Sequence, residues 1–142
     1  MSVQDNIIWR ISKLPKSACG LGARQEDIEK LACAFGSTLP NDFEAFLSEY
    51  GWLEFGSTEI PGLGQDVPTH LDLLLIACDY WNNGLSKRFL PIYSSGSDWI
   101  YCVDSENAGN VVVVSNEEGE YVLDERMGPW SVWFRSMFCE ED

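Results

Sequence analysis

The segment Leu39–Phe55, LPNDFEAFLSEYGWLEF, decides how this chain is expected to fold. A residue before proline is kept out of the α region, so Pro40 predicts an extended approach to a helix that starts at Asn41. Gly51 supplies the left-handed residue that ends many helices, and we expect Trp52–Phe55 to leave as a strand. Between them, apolar and aromatic residues recur at helical spacing and predict one buried face: Phe43, Phe46, Leu47 and Tyr50.

Similar patterns predict the remaining helices and strands. One helix runs from Arg24 to Phe35, and the last helix begins at Pro129, a favoured first-turn residue. Another starts near Thr69, where Thr69 and Asp72 approximate a capping box. Its predicted buried face comprises Leu71, Leu74, Leu75 and Cys78. The further predicted strands are Thr58–Ile60, Phe89–Tyr93, Trp99–Asp104, Asn110–Ser115 and Tyr121–Leu123.

This order of helices and strands predicts an α+β fold, with a single, mostly antiparallel β-sheet packed by about four helices. The run Val111–Val114 is apolar on both faces, which is typical of a central strand that is covered on both sides. We assign residues 1–142 to one domain, in which residues 1–22 form a loosely patterned N-terminal extension.

The charge of the chain restricts its partners. Twenty-three Asp and Glu residues oppose nine Lys and Arg residues, which gives a formal net charge of −14. No Lys or Arg occurs between Lys30 and Lys87. Such a surface repels nucleic acid and anionic membranes, whereas it attracts a basic protein. The alternative explanation of the charge is solubility alone. Mutual repulsion between acidic copies favours a monomer.

Motifs for catalysis or metal binding are weak. His70 is the only histidine, and a histidine beside a helix cap is usually a plain surface residue. Asp98 and Asp104 are a possible carboxylate pair on one strand. The favoured interpretation is structural: Asp98 forms hydrogen bonds in the hairpin turn, and Asp104 caps the end of the strand. No Asp-x-Asp-x-Asp loop and no CxxC pattern occurs, and the cysteines are expected to be reduced, with Cys33, Cys78 and Cys102 buried. We therefore expect no enzyme, no cofactor and no metal; a small carboxylate-based hydrolase is a remote alternative.

A protein-binding surface is the remaining functional prediction. Large aromatic residues that lie beside carboxylates can anchor a partner that carries Lys or Arg. The competing interpretation is that these aromatic residues belong to the core. The predicted partner-binding residues are Glu49, Trp52, Glu54, Glu59, Asp66, Asp79, Asp98, Trp99 and Tyr101.

The predicted location of the chain is the cytoplasm. No apolar run is long enough to span a bilayer, and no charged-then-apolar leader is present at the N-terminus.

Several segments resemble, in the right order, motifs of the SUKH superfamily of Smi–Knr-type domains. The resemblance covers roughly residues 24–138. Trp52 stands where a second glycine is common in that family, and Ser97 replaces a glycine before Asp98, so local loop geometry is expected to differ. The matching segments are Leu39–Phe55, Glu59–Leu63, Leu90–Tyr93, Ser95–Asp104, Asn110–Ser115 and Gly128–Phe138.

The resemblance implies a fold of the SUKH type and a binding function. Members of this superfamily are mostly associated with bacterial polymorphic and contact-dependent toxin systems, in which they neutralise a cognate toxin, often a nuclease. The resemblance therefore implies an immunity protein that acts by stoichiometric binding without turnover. The alternative is an intracellular scaffold or regulatory adaptor of the Smi–Knr type.

Overall fold

The computed structural model describes residues 17–94 and 98–139. Most of the predicted N-terminal extension, residues 1–16, lies outside these ranges. The helices are α1 (Gln25–Phe35), α2 (Asn41–Glu49), α3 (Leu73–Asn82) and α4 (Trp130–Phe134). The strands are β1 (Ser17–Cys19), β2 (Leu53–Phe55), β3 (Thr58–Ile60), β4 (Phe89–Tyr93), β5 (Trp99–Asp104), β6 (Val111–Glu117) and β7 (Glu120–Gly128). A 3-10 turn, Thr69–Leu71, precedes α3, and a π-helical turn, Arg135–Cys139, follows α4.

The α+β class is confirmed, but the described strands form two antiparallel sheets rather than the single predicted sheet. One sheet has the order β1-β2-β3 and the other has the order β4-β5-β6-β7. The strands are divided between two sheets because the residues that follow β3 do not continue its ladder. Pro61 has no N–H to continue a ladder. Gly62 then pairs with the segment before α3, because its N–H donates to Leu71 O and its carbonyl accepts from Leu73 N.

Strand β6 is an inner strand of the larger sheet, as predicted. It pairs with β5 on one side and with β7 on the other, and Val111–Val114 are all buried. Val111 packs into the main core with Trp130, whereas Val112 packs on the opposite face with Ile100 and Cys102. Each face of the sheet therefore has its own apolar layer.

Helix α2 forms as its sequence pattern predicts and packs against α4. Phe46 contacts Trp130 with 5.2 Å between ring centroids. Asp42 adds a polar link, since its carboxylate accepts hydrogen bonds from Phe43 N at 2.9 Å and from Ser131 N at 2.8 Å. The first turn of α2 thus supplies a partner to the first turn of α4, whose N–H groups have no partner within the helix.

Helix α3 differs from its prediction at both its start and its buried face. Asp72 is the N-cap itself and accepts hydrogen bonds from Leu74 N and Leu75 N. Leu73 and Ala77 are the buried residues of this helix, whereas Leu75 and Cys78 are exposed. The reason is that the run LLLIACDYW is apolar on nearly every side, so its periodicity does not select one face.

The cysteines divide between core and surface. Cys102 is buried, as expected, and burial raises the pKa of its thiol well above the usual value. The expectation was wrong for Cys33 and Cys78, which lie on the solvent sides of α1 and α3. None of the helices within the described ranges has the length and apolarity needed to cross a bilayer.

An acidic hairpin face and its adjoining cleft

The β2–β3 hairpin places two predicted site residues side by side. Leu53 pairs with Ile60, and both are buried against the core. Side chains alternate between the two faces of a strand, so the next pair, Glu54 and Glu59, points outward. These two residues lie directly opposite each other in the antiparallel register. The buried pair therefore fixes a pair of carboxylates on the solvent side of the smaller sheet.

His70 joins this carboxylate pair from the 3-10 turn. Its Nε2 lies 2.7 Å from Glu59 Oε2 and 3.9 Å from Glu54 Oε2. His70 was not among the predicted site residues, because the loop of residues 61–68 separates it from both glutamates in the sequence. The one available signal was a lone histidine within the long segment that contains no Lys or Arg.

Trp52 and Asp66 extend the same surface. The indole Nε1 of Trp52 donates a hydrogen bond of 3.3 Å to Asp66 Oδ1. The second oxygen of Asp66 accepts from the main-chain N–H of Leu21, whose side chain is 89% exposed. Gly20 lies against the Trp52 indole, where any side chain at position 20 would collide with the ring. We call the surface formed by Trp52, Glu54, Glu59, Asp66 and His70 the hairpin face.

A cleft of about 220 Å³ begins at this face and continues between α3 and β4. Glu59 and His70 stand at its edge. The cleft also carries two phenols, those of Tyr80 and Tyr93, and burial raises the pKa of each above its ordinary value. Its other walls are mainly apolar and comprise Pro61, Leu71, Ile76, Pro91, Ile92 and Ile100, with Ser94 beside them.

The remaining predicted site residues lie elsewhere. Glu49 ends α2 and is exposed, and Asp79 is exposed on α3. Asp98, the residue before β5, is exposed, and Trp99, the first residue of β5, is 57% exposed. Tyr101 is half-buried, with 5.3 Å between the centroids of its ring and that of Trp133. This position agrees with the competing interpretation of Tyr101 as a core residue.

The chemistry of the hairpin face is the attraction and binding of positive charge. Glu54, Glu59 and Asp66 supply carboxylate oxygens, and Trp52 supplies a large aromatic surface beside them. No Lys or Arg occurs between Lys30 and Lys87, and among the described residues His70 is the base that pairs with Glu54 and Glu59. An aromatic group beside carboxylates that pair with no Lys or Arg of the described residues matches the composition of a protein interface for a basic partner.

Comparisons with known proteins agree with this architecture. The crystal structure of a protein from Pseudomonas syringae pv. tomato superposes with a TM-score of 0.69 over 98% of both chains, at 19% sequence identity, which establishes a shared fold. A search among curated proteins found no match. The family model SUKH_5, described as SMI1-KNR4 cell-wall, matches residues 5–138. The chain therefore belongs to the SMI1-KNR4 family of SUKH domains.

Proposed function

We propose that this chain is an immunity protein that binds a cognate toxin domain in the cytoplasm and neutralises it stoichiometrically. Family membership supports a binding domain of this type. The observation that carries the proposal is the hairpin face, where Glu54 and Glu59 lie side by side near Trp52 in a chain of net charge −14. The partner is a basic protein domain, and a nuclease toxin is the case that we favour.

The acidic surface of this chain is complementary in charge to the basic groove of a nuclease. A nuclease needs a basic groove, because nucleic acid is bound largely through its phosphates. An acidic domain is steered toward such a groove and excludes nucleic acid once it is bound. Trp52 would act as the anchor, and the carboxylates of Glu54 and Glu59 would pair with Lys or Arg around it.

Binding without turnover is part of the proposal. The side chains of Glu54 and Glu59 are 44% and 47% exposed. Catalytic carboxylates usually lie in a cleft that excludes water, whereas both of these are partly open to solvent. A pair of half-exposed carboxylates suits reversible ion pairing with a partner instead. We also propose that the unbound chain is a monomer, because its copies repel each other.

A regulatory adaptor is the second candidate function. The description of the matching family refers to the cell wall, and this is the observation that supports a role in cell-wall control. The same acidic surface would then bind a signalling or scaffold protein. The two candidates differ in the identity of the partner and in whether that partner is toxic when it is expressed alone.

The test combines capture of the partner with rescue of growth. We would recover the partner from the native host with the full chain as bait, express it alone in a model bacterium and measure growth. The account predicts arrested growth, restored by co-expression of the chain and not by the variant Glu54→Lys/Glu59→Lys.

The matched control is Glu117→Lys/Glu120→Lys. Glu117 and Glu120 are also exposed and also lie directly opposite each other in an antiparallel hairpin, beside the turn between β6 and β7. This control variant should restore growth as well as the unmodified chain does. A captured partner that leaves growth unaffected would favour the adaptor function. Equal loss of rescue by both variants would show that the hairpin face is not the specific binding surface.

A further inference from the structure

We propose that Glu54, Glu59 and His70 form a binding site for a divalent transition-metal ion, with Zn²⁺ as the best match. The inference rests on the geometry and chemistry of these three side chains and does not depend on the immunity function. It departs from our sequence-based expectation of no metal, which considered only motifs whose ligands are close together in the chain.

The spacing of the three donor atoms suits a small metal ion. Glu54 Oε2, Glu59 Oε2 and His70 Nε2 can all lie within 4.8 Å of one another. Tetrahedral zinc with bonds of about 2.1 Å holds its ligand atoms about 3.4 Å apart. The distances of 2.7 Å and 3.9 Å from His70 Nε2 to the two carboxylates lie on either side of that value. Small rotations of exposed side chains therefore complete the ligand set.

The electrostatics of the hairpin also favour a cation at this point. Like charges directly opposite each other across an antiparallel pair destabilise a sheet. The buried pair Leu53 and Ile60 nevertheless fixes Glu54 opposite Glu59. A divalent ion between the two carboxylates would replace this repulsion with attraction to both.

The main chain holds His70 in place before any ion binds. The next residue, Leu71, is buried, and its carbonyl accepts a hydrogen bond of 2.9 Å from Gly62 N. Pro68 precedes the 3-10 turn and restricts the backbone there. The imidazole itself is 60% exposed, so an ion can reach it from solvent. A fixed ligand with an open approach is what a proposed metal site requires.

The kinds of ligand indicate the kind of metal. Calcium and magnesium prefer sites made of oxygen atoms alone, whereas imidazole together with carboxylate suits zinc and its transition-metal neighbours. The three protein ligands leave the fourth position of a tetrahedral zinc ion open to water. We therefore expect binding of Zn²⁺ in preference to Mg²⁺.

The test is calorimetric titration of the full chain with zinc chloride. Thiols also bind zinc, so the titration uses a background in which every cysteine except the buried Cys102 is replaced by serine: Cys19, Cys33, Cys78 and Cys139. We expect one Zn²⁺ per chain and a rise in the melting temperature when zinc is present. We also expect His70→Ala and Glu54→Gln/Glu59→Gln each to weaken binding by about tenfold or more.

Glu117→Gln/Glu120→Gln is the matched control, because it removes an equivalent carboxylate pair that has no histidine beside it. Its zinc affinity should equal that of the background chain. Melting curves without zinc show whether each variant is folded, and His70→Gln provides a second substitution at the exposed histidine. Absence of zinc binding by the background chain, or unchanged binding by the folded His70 variants, would overturn the proposal.

Discussion

At the scale of single residues, the ion pair between Arg88 and Asp104 is the clearest polar contact of the core. Asp104 is fully buried at the end of β5. Its carboxylate accepts hydrogen bonds from Arg88 Nε at 2.7 Å, from Arg88 Nη2 at 2.8 Å and from Glu106 N at 3.0 Å. These bonds stabilise the charged guanidinium, and the hydrogen bond to Asp104 raises the pKa of Arg88.

Removal of Arg88 should destabilise the fold strongly. The substitution Arg88→Met leaves the Asp104 carboxylate buried without its counter-charge, and breaking a buried pair in this way costs about 3 kcal/mol or more in the free energy of unfolding. Urea denaturation monitored by tryptophan fluorescence measures this loss. The control is Arg24→Met, because Arg24 pairs with Glu26 and Asp27 on the surface. Similar losses for the two variants would contradict the assigned role of the buried pair.

Individual residue roles were predictable where they depend on local sequence alone. The interpretation of Asp104 as a residue of the strand exit agrees with its bond to Glu106 N, two residues further along the chain. Its partner Arg88 lies in the turn before β4 and was not predictable, because nothing in the sequence specifies which basic residue reaches it. The grouping of His70 with Glu54 and Glu59 was also not predictable, because nothing in the sequence specifies that these residues lie together in the fold.

At the scale of secondary-structure elements, helix α3 shows how a cap decides where a helix begins. The sequence offered Thr69 and Asp72 as a pair, and the structure assigns them to different elements. Thr69 opens the 3-10 turn, whereas the carboxylate of Asp72 accepts from Leu74 N at 3.1 Å. A capping side chain satisfies N–H groups that have no partner within the helix.

Substitutions at these two positions should differ in cost. Asp72→Ala removes the N-cap of α3 and should lower the free energy of unfolding by about 1 kcal/mol. Thr69→Ala removes an exposed hydroxyl and should change it by less than about 0.5 kcal/mol. Thermal and urea denaturation of both variants measure the difference. A larger loss of unfolding free energy for Thr69→Ala than for Asp72→Ala would contradict Asp72 as the N-cap and would support the capping box that the sequence suggested.

Strands and amphipathic helices were predictable because their patterns have a clear period. The bounds of β3, β4 and β5 agree with the sequence, as does the buried face of α2. The face of α3 was not predictable, since an apolar run contains no period to interpret. The division into two sheets was not predictable either, because it depends on the pairing of Gly62 with the segment before α3.

At the scale of the whole molecule, the net charge of −14 creates a field that acts on any charged partner. Such a field raises the association rate, whereas contacts within the interface control the dissociation rate. The predicted role of the hairpin face can therefore be separated from the overall acidity of the chain. The separation requires two variants of equal net charge, one altered at the face and one altered outside it.

Glu54→Lys/Glu59→Lys and Glu117→Lys/Glu120→Lys satisfy this requirement. Each reversal of a carboxylate to a lysine adds two charges, so both variants move from −14 to −10. Reduced steering should slow association of the purified partner with both variants to a similar extent, and higher salt should slow association of the unmodified chain.

The most direct test of the central claim is the dissociation rate of the purified partner from these two variants, measured by surface plasmon resonance. The account predicts that Glu54→Lys/Glu59→Lys raises this rate by about tenfold or more, because it breaks ion pairs within the interface, while Glu117→Lys/Glu120→Lys leaves it within about twofold of the unmodified chain. An equal rise for both variants, or a rise for the second alone, would show that the hairpin face is not where this protein binds its partner.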